Sequence, residues 1–416
     1  MASTAPARSL SPRARWAVPA GVAAVVAGAF VAPSVIASAS SDLPELTPAE
    51  LLVKVAEAEP VPLSGTVVYT ARLGLPDLPL SEVQGASPLD LLGGSSTIRL
   101  WSDGEDRSRA ALLGSLSEFS VVRDGPQAWT YSSSDDEVVH YTVDADDLER
   151  YGELDDAARS GAAPEVAGDL PTPAEAADAL LAYAALSTDV SVGTATQVAG
   201  RDAYQLGLVP RTDGTLVDRV LVAVDAETSA PLRVQVWATG DTQTPALEVG
   251  FTDVSFTAPD DAVFDFTAPP GATTTEVEVP LPDPADHEGT DPEDLKDLGA
   301  FDGVAVSGFG WETVVEVEGV DIEGLLAGDP AAATALPGMD RSFGSEGAQD
   351  LYGELVGEEG TVPGVPEIDA AALYDQLTQE VPEGRLLTSA LLSVLVTDDG
   401  RVLAGAVPAE VLRDLA

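Results

Sequence analysis

The chain has 416 residues, and its 70 acidic against 20 basic residues give a net charge of −50 at pH 7. Nucleic acids and anionic lipid surfaces attract basic proteins, so this charge argues against both as partners. The sequence contains no cysteine, which excludes disulfides, thiolate chemistry and a lipid-modified N-terminal cysteine. Hydrophobic residues make up 45% of the chain, which is enough for a substantial core, and the length suggests two domains.

Residues 1–39 have the pattern of an export signal. Three arginines lie at or before position 15, an apolar segment follows over residues 16–36, and the first acid is Asp42. Residues 37–39 (Ala-Ser-Ala) match a cleavage site of small residues, which predicts a signal peptide. The apolar segment is also long enough to be an uncleaved membrane anchor. In both alternatives this segment engages the membrane and the rest of the chain is exported to the cell envelope or secreted.

The first predicted domain, residues 40–275, opens with a helix. Thr47-Pro48-Ala49-Glu50 is a capping box with proline at the first helical position, which predicts a helix to about Glu59. One face of this helix should be buried, and it carries Leu51, Leu52 and Val55. Strands are then predicted over residues 65–73, 96–102, 107–113, 118–123, 127–132 and 138–143. A long loop rich in proline, glycine and leucine separates the first two strands at residues 74–94.

A second capping box at residues 172–175 predicts a helix to about Leu186. Further strands are predicted over residues 190–198, 201–209, 216–224, 232–237 and 247–256. The last three form an antiparallel meander, and Pro269-Pro270-Gly271 should end the sheet because proline cannot continue a strand. Two helices among about ten antiparallel strands predict an α+β fold, in which the helices lie on the concave face of a curved sheet.

Residues 276–300 contain nine acids and four prolines and are expected to be an acidic linker. The remaining residues, 301–416, predict a smaller C-terminal α+β unit. Residues that favour strands lie around Trp311, a helix is predicted over residues 368–377, and Asp398-Asp399-Gly400 indicates a hairpin. Pro408 should open a terminal helix.

Short segments of residues 40–275 carry a resemblance to a known family through their order and spacing. They are Leu63-Ser64-Gly65-Thr66-Val67-Val68, Ile98-Arg99-Leu100-Trp101 with Asp103-Gly104, Val122-Arg123-Asp124-Gly125 with Trp129-Thr130-Tyr131, residues 200–206, residues 224–226 with 231–234, and residues 251–254 with 264–271. Together they resemble the LolA-like superfamily of outer-membrane lipoprotein carriers, in particular the exported LolA-like proteins of actinobacteria. A LolA-like domain with a smaller appended domain also resembles the envelope-stress regulators RseB and MucB.

The resemblance implies a half-barrel whose helices cover an apolar cavity for acyl chains. We expect the cavity to lie between the two predicted helices and the strands. Its candidate lining residues are Val67, Ile98, Leu100, Val121, Trp129, Leu180, Val222 and Val234. The leading interpretation is therefore an extracytoplasmic protein that binds lipids or lipoproteins. The alternative is an envelope-stress sensor or regulatory binding protein of the RseB and MucB type, with an envelope protein as partner.

The sequence lacks the common catalytic motifs, which argues against an enzyme. The two histidines, His140 and His287, lie in different segments, whereas a triad or zinc site needs ligands that converge. No nucleophile elbow, zincin helix or phosphate loop occurs in the sequence. Asp144, Asp146 and Asp147 resemble the start of a calcium loop, but the glycine and the closing glutamate of such a loop are missing. We therefore expect no catalytic residue, metal or cofactor.

Overall fold

The computed structural model describes residues 43–75, 86, 91, 93–143, 147–148, 151–152, 173–279, 303–327, 332 and 370–416. Outside these ranges lie the predicted export segment 1–39, most of the loop 74–94, nearly all of the linker 276–300, Asp144, Asp146 and His287. Among the helices of the described ranges, none is long and apolar enough to cross a membrane.

Thirteen strands form one large sheet in the first part of the chain. They are β1 (Leu63–Ala71), β2 (Gly94–Ser102), β3 (Arg107–Leu113), β4 (Glu118–Asp124), β5 (Gln127–Ser132), β6 (Glu137–Val143), β7 (Thr188–Val192), β8 (Thr196–Val198), β9 (Arg201–Pro210), β10 (Val217–Asp225), β11 (Pro231–Ala238), β12 (Leu247–Ser255) and β13 (Thr273–Val279). Their order is β13-β6-β5-β4-β3-β2-β1-β12-β11-β10-β9-β7, with β8 also paired to β9. Helices α1 (Pro48–Ala56) and α2 (Pro173–Ala184) accompany the sheet. The predicted α+β class is confirmed, with a large curved sheet and few helices.

A second, six-stranded sheet forms the C-terminal unit, and its hydrogen-bonded neighbours are antiparallel. Its elements are β14 (Val304–Ser307), β15 (Val314–Val317), α3 (Ile322–Leu326), α4 (Ala370–Leu377), β16 (Gln379–Val381), β17 (Gly384–Thr388), β18 (Ser393–Thr397), β19 (Val402–Gly405) and α5 (Ala409–Leu415). The predicted hairpin at residues 398–400 joins β18 to β19, and the predicted terminal helix is α5. A small core of its own includes Val314, Leu395 and Leu412.

The large sheet consists of two meanders that meet at β1. Strands β2 to β6 follow one another on one side of β1, and β9 to β12 follow one another on the other side. A bulge interrupts the β1–β12 register between Thr66 and Val67. Next to the bulge, a Cβ atom on Gly65 would lie 2.5 Å from the carbonyl oxygen of Asp253 and 2.7 Å from the ring of Phe251. Glycine is therefore needed at position 65, because β1 and β12 approach each other closely there.

Residues 256–272, which we call the strap, cross from β12 towards β6. Phe264 is fully buried, and the Arg107 guanidinium lies 5.1 Å from its ring and donates to Asp261 at 2.9 Å. After the strap, β13 pairs in parallel with β6. The prediction that Pro269-Pro270-Gly271 ends the sheet is therefore wrong. These residues lie in the strap, where no ladder hydrogen bond is required of proline, and the strand resumes at Thr273.

An ion pair between the partly exposed Arg201 and the buried Asp225 fixes the turn between β10 and β11. Arg201 donates two hydrogen bonds of 2.8 Å to the carboxylate of Asp225, whose oxygens also accept from Glu227 and Thr228. Burial alone would raise the pKa of Asp225, but the hydrogen bonds from Arg201 and Thr228 outweigh burial and hold this pKa below its ordinary value. The ionised carboxylate is therefore part of the folded structure.

Both helices are shorter than predicted. Helix α1 ends at Ala56 instead of about Glu59, and α2 ends at Ala184 instead of about Leu186. Pro60 and Pro62 follow α1, and proline disfavours helical conformation in the residue before it. Leu51 is buried as expected, Leu52 is half-buried, and Val55 is exposed.

We predict that Gly65→Ala lowers the free energy of unfolding by about 2 kcal/mol, because the added methyl group overpacks the β1–β12 contact. Gly93→Ala is the matched control, since nothing lies within 4 Å of its added Cβ. It should change stability by less than about 0.5 kcal/mol. Urea unfolding measures both variants, and equal stabilities would contradict the steric argument.

We also predict that Asp225→Asn lowers the free energy of unfolding by about 3 kcal/mol at pH 7, because it leaves Arg201 without its buried partner. A carboxylate with a lowered pKa stabilises the fold above its unfolded pKa of about 3.9, and this contribution is lost as the pH falls through the lower folded value. The difference between wild type and variant should therefore shrink below about pH 4. Asp202→Asn, at an exposed residue on the same β9 strand, is the control and should have little effect.

Candidate functional site

An unbroken row of apolar side chains runs across one face of the large sheet. In antiparallel pairs, directly opposed residues lie on the same face, so the strand registers trace this row. Its members include Val190, Leu208, Leu206, Val220, Val222, Val234, Val236, Val249, Val67, Tyr69, Ile98, Leu100, Ala110, Leu112, Phe119 and Val121. Burial raises the pKa of the Tyr69 hydroxyl, as expected for a phenol in apolar surroundings. We call this surface the apolar face.

Helix α1 covers part of the apolar face. Thr47 accepts a hydrogen bond from the Glu50 amide, and the Glu50 carboxylate accepts from Thr47, so both halves of the predicted capping box form. Leu51 is fully buried in the same core cluster as Val67 and Ile98. At the other end of the helix, Lys54 donates to the carbonyl oxygen of Ala226, and its ammonium lies 5.6 Å from the Tyr204 ring. These contacts hold α1 over the sheet.

The C-terminal unit closes one end of the apolar face. This end, which we call the rim, is where several strands begin or finish: Ala71, Thr188, Pro210, Val217, Ala238 and Leu247. Hydrogen bonds join the two units here, from the Leu216 amide to Ala406 O at 2.8 Å and from the Ala390 amide to Leu73 O at 2.7 Å. Leu391 and Ala406 pack against the core of the large sheet.

Trp311 also reaches this core from the C-terminal unit. Its ring packs against the apolar cluster of the large sheet, and its Nε1 donates a 2.8 Å hydrogen bond to the hydroxyl of Thr188. The adjacent Glu312 accepts a 2.5 Å hydrogen bond from Thr212. The contact therefore combines one large apolar side chain with two threonine hydroxyls, of which Thr188 accepts a hydrogen bond and Thr212 donates one. It contains no ion pair among these residues.

The apolar face is less covered on the β2–β4 side. Leu206, Val222, Val234, Val249 and Ile98 are buried. Leu100, Ala110 and Phe119 are only half-buried, and Val121 is 38% exposed. We call these four residues the exposed strip. Among the described residues, this strip keeps apolar surface in water, and an apolar chain that covered it would gain free energy by removing that surface from water.

The structure brings together six of the eight residues predicted to line the cavity. Val67, Ile98, Leu100, Val121, Val222 and Val234 lie on the apolar face. Leu180 lies on α2 and is 43% exposed. Helix α2 contacts α1 and β7, so it lies beside the apolar face, but Leu180 is not enclosed there. Most of the apolar face is packed rather than empty, so the site is an exposed strip continuous with a covered interior.

Trp129 lies on the opposite face and is not part of the apolar face. The β4–β5 register pairs it with Val122, whereas Val121 pairs with Thr130. There its ring stacks on His140 at 4.8 Å and on Phe266 of the strap at 5.8 Å. The face of Trp129 can be derived from the sequence, because the two-residue turn after Asp124 sets which residues of β4 and β5 lie opposite one another. Trp129 therefore packs against the strap.

The opposite face carries the buried charges. Arg233, Gln235 and Glu248 are buried on it, and desolvation lowers the pKa of Arg233 although the nearby Glu248 opposes this. His140 is held between Glu276 at 2.6 Å from Nδ1 and Gln127 at 3.1 Å from Nε2. Within the described ranges no group of three or more metal-binding side chains converges. The two faces of the sheet therefore differ in chemistry: one is apolar and the other is polar and aromatic.

A separate cleft of about 310 Å³ lies beside the rim, between the β11–β12 loop and the C-terminal unit. Arg72, Asp241, Thr244 and Ser389 are among its lining residues. The Arg72 guanidinium donates to Pro245 O at 3.2 Å. Its lining also includes the apolar residues Leu216, Ala238, Pro245, Ala246 and Ala390, so the cleft combines polar and apolar groups.

Several residues of the site were not predicted from the sequence. Tyr69, Leu206 and Phe119 follow from strand alternation once the registers are known. Trp311 was recognised only as strand material, and it actually lies in a short 3₁₀ helix over residues 310–312. The signal available for it was an amphipathic aromatic residue directly after a glycine-flanked phenylalanine, in the segment Gly308-Phe309-Gly310-Trp311.

No known protein-family profile matches the sequence, and no curated protein matches it. Solved structures do resemble it. A chain of the MucA/MucB complex of Pseudomonas aeruginosa is 16% identical, with 88% of this chain and 95% of that chain covered and a TM-score of 0.37. A LolA superfamily protein of Nitrosomonas europaea is 11% identical over 53% of this chain and 99% of that chain, with a TM-score of 0.21.

A putative outer-membrane lipoprotein-sorting protein domain of Vibrio parahaemolyticus is 10% identical over 52% of this chain and 97% of that chain, with a TM-score of 0.20. Likenesses of this size transfer no ligand or partner to the chain. The α+β class with a large curved sheet agrees with the prediction from the sequence.

Proposed function

We propose that this protein is an extracytoplasmic binding protein that holds the acyl chains of a lipid or lipoprotein on its apolar face. The observation that carries the proposal is the apolar row itself, which is covered by α1 and the C-terminal unit and emerges at the exposed strip. Binding would be driven by burial of methylene groups, each of which contributes about 0.8 kcal/mol. The export pattern of residues 1–39 and the LolA-like motifs support the same function.

The strong negative charge of the chain favours ligands whose bound part is uncharged. An acyl chain esterified in a lipid or a lipoprotein presents no charge to the apolar face, whereas a free fatty acid carries a carboxylate that the acidic protein repels. We therefore expect a monoacylglycerol or a triacylated lipopeptide to bind more tightly than a fatty acid of the same chain length. This order should weaken as salt screens the charge of the protein.

The proposal is tested with delipidated protein and a fluorescent fatty acid such as cis-parinaric acid, which monoacylglycerol and lipopeptide then displace. We predict that Val121→Asn weakens probe binding about tenfold, because it places an amide without a partner on the exposed strip. Asparagine is used instead of aspartate because a new charge would repel the fatty acid wherever it was placed.

Val209→Asn is the matched control. Val209 is 41% exposed, close to the 38% of Val121, but it pairs with Asp189 on the opposite face of the sheet. It should change probe binding less than twofold. Equal effects of the two substitutions, or no uptake of any of the three ligands by the wild type, would refute acyl-chain binding on this face.

The alternative function is a regulatory protein that changes its binding to an envelope protein partner when the apolar face is occupied. The rim supports this alternative, because the C-terminal unit contacts the apolar core there through a few hydrogen bonds and apolar contacts. A ligand at the rim could therefore alter the contact between the units.

For this alternative we predict that acyl ligands accelerate hydrogen exchange at two amides that cross the rim, Leu216 and Ala390. Mass spectrometry after proteolysis measures peptides that contain them, and the Ala203 amide within β9, paired with Asp225, serves as internal reference. Exchange that is unchanged or slower on ligand binding would favour a carrier over a regulator.

A further inference from the structure

Both units of the protein form the cleft beside the rim. The large sheet contributes Arg72 after β1, Leu216 before β10 and several residues between 238 and 246, whereas the C-terminal unit contributes Ser389 and Ala390. The volume of about 310 Å³ equals that of about ten water molecules in the liquid. Ligand sites are often clefts between domains, and this one is at the small end of their size range. The cleft therefore suits a small molecule.

Arg72 gives the cleft a cation whose hydrogen bonding is incomplete. A guanidinium has five N–H donors, and among the described residues Arg72 donates only to Pro245 O, at 3.2 Å. Its side chain is exposed and forms no ion pair with a residue that the structure describes. Eight other described arginines pair with a carboxylate: Arg107, Arg109, Arg201, Arg211, Arg219, Arg385, Arg401 and Arg413. Arg72 thus remains available to an anion from solution.

Asp241 is the acidic residue of the cleft lining, and it is bonded within its own loop. Its carboxylate accepts a 2.8 Å hydrogen bond from the Gln243 amide and further hydrogen bonds from the amide and hydroxyl of Thr244. These bonds hold the pKa of Asp241 below its ordinary value, and the charge of Arg72 acts in the same direction. Asp241 weakens the attraction of the cleft for anions, but it does not bond to the guanidinium.

The apolar part of the lining limits the ligand further. Ala238 and Ala246 are buried, and Leu216, Pro245 and Ala390 complete this part. A matching ligand carries an anionic group for Arg72 on a small apolar body. A guanidinium binds carboxylate or phosphate through two parallel hydrogen bonds. The net charge of −50 repels a doubly charged phosphate more strongly than a carboxylate, so the carboxylate is favoured.

The cleft also adjoins the hydrogen bonds that join the two units. Leu216, whose amide donates to Ala406 O at 2.8 Å, lines the cleft, and so does Ala390, whose amide donates to Leu73 O at 2.7 Å. A ligand in the cleft touches the large sheet at Arg72 and the C-terminal unit at Ser389 and Ala390. Such a ligand binds only while the units are in contact, so by linkage it stabilises that contact.

We infer that this cleft binds a small organic carboxylate through Arg72 and that its occupant strengthens the contact between the two units. The inference adds a second site to the protein and does not depend on acyl-chain binding at the apolar face. The two sites differ in ligand, because the apolar face favours long uncharged chains and the cleft favours a small anion.

The first test measures binding of benzoate by saturation-transfer difference NMR over a series of concentrations. Benzamide, which has the same ring and a neutral amide, should bind more weakly. Arg72→Gln should weaken benzoate binding about tenfold, because it removes hydrogen bonds from a charged donor. Arg99→Gln is the matched control, since it removes the same charge from an exposed arginine of β2 outside the cleft, and it should change binding less than twofold. Equal binding by wild type and Arg72→Gln, or equal binding of benzoate and benzamide, would overturn the site.

The second test measures the contact between the units by hydrogen exchange. Benzoate at ten times its dissociation constant should slow exchange at the Leu216 and Ala390 amides by up to about tenfold in the wild type. It should have no such effect in Arg72→Gln, and the Ala203 amide again serves as internal reference. Benzoate binding with unchanged exchange at both amides would overturn the effect on the contact. Failure of acyl ligands to bind would refute the proposed function and leave this inference standing.

Discussion

The pairing of β1 with β12 is the contact on which the large sheet depends. Each meander is formed by strands that follow one another in the chain, and among the strands that the structure describes only this pairing joins β2–β6 to β9–β12. The approach of the two strands requires Gly65 beneath Phe251 and a bulge at Thr66. Because the register on both sides of β1 is set here, Val67 is aligned with Ile98 on one neighbour and Tyr69 with Val249 on the other. The apolar face is continuous for this reason.

The two faces of the sheet are completed by different parts of the chain. The apolar face receives α1 and the side chains of the C-terminal unit, whereas the opposite face receives the strap with Phe264 and Phe266. The strap is covalently continuous with β12 and β13 and packs through aromatic rings and arginine. The C-terminal unit is held at the rim by individual hydrogen bonds and by the apolar contacts of Trp311, Leu391 and Ala406.

Local features were predictable from the sequence because they depend on neighbouring residues. The capping box at Thr47, the alternation in the meander and the hairpin at residues 398–400 all form as expected. The prediction failed where distant contacts decide: proline-rich residues after β12 form the strap, and Trp311 is placed by Thr188, more than a hundred positions earlier in the chain. Trp129 was predicted to line the apolar cavity, but the register of its hairpin places it on the opposite face of the sheet.

The central position of β1 also has a consequence for the order of folding. Its partner β12 begins at Leu247, so the two meanders cannot join until the chain has been synthesised to near the end of the large sheet. Contacts this distant in sequence form slowly. During synthesis, the apolar residues of β1–β4 therefore emerge long before the strands that bury them, and they are vulnerable to aggregation in the meantime. The high density of acidic residues gives the emerging chain a charge that opposes self-association.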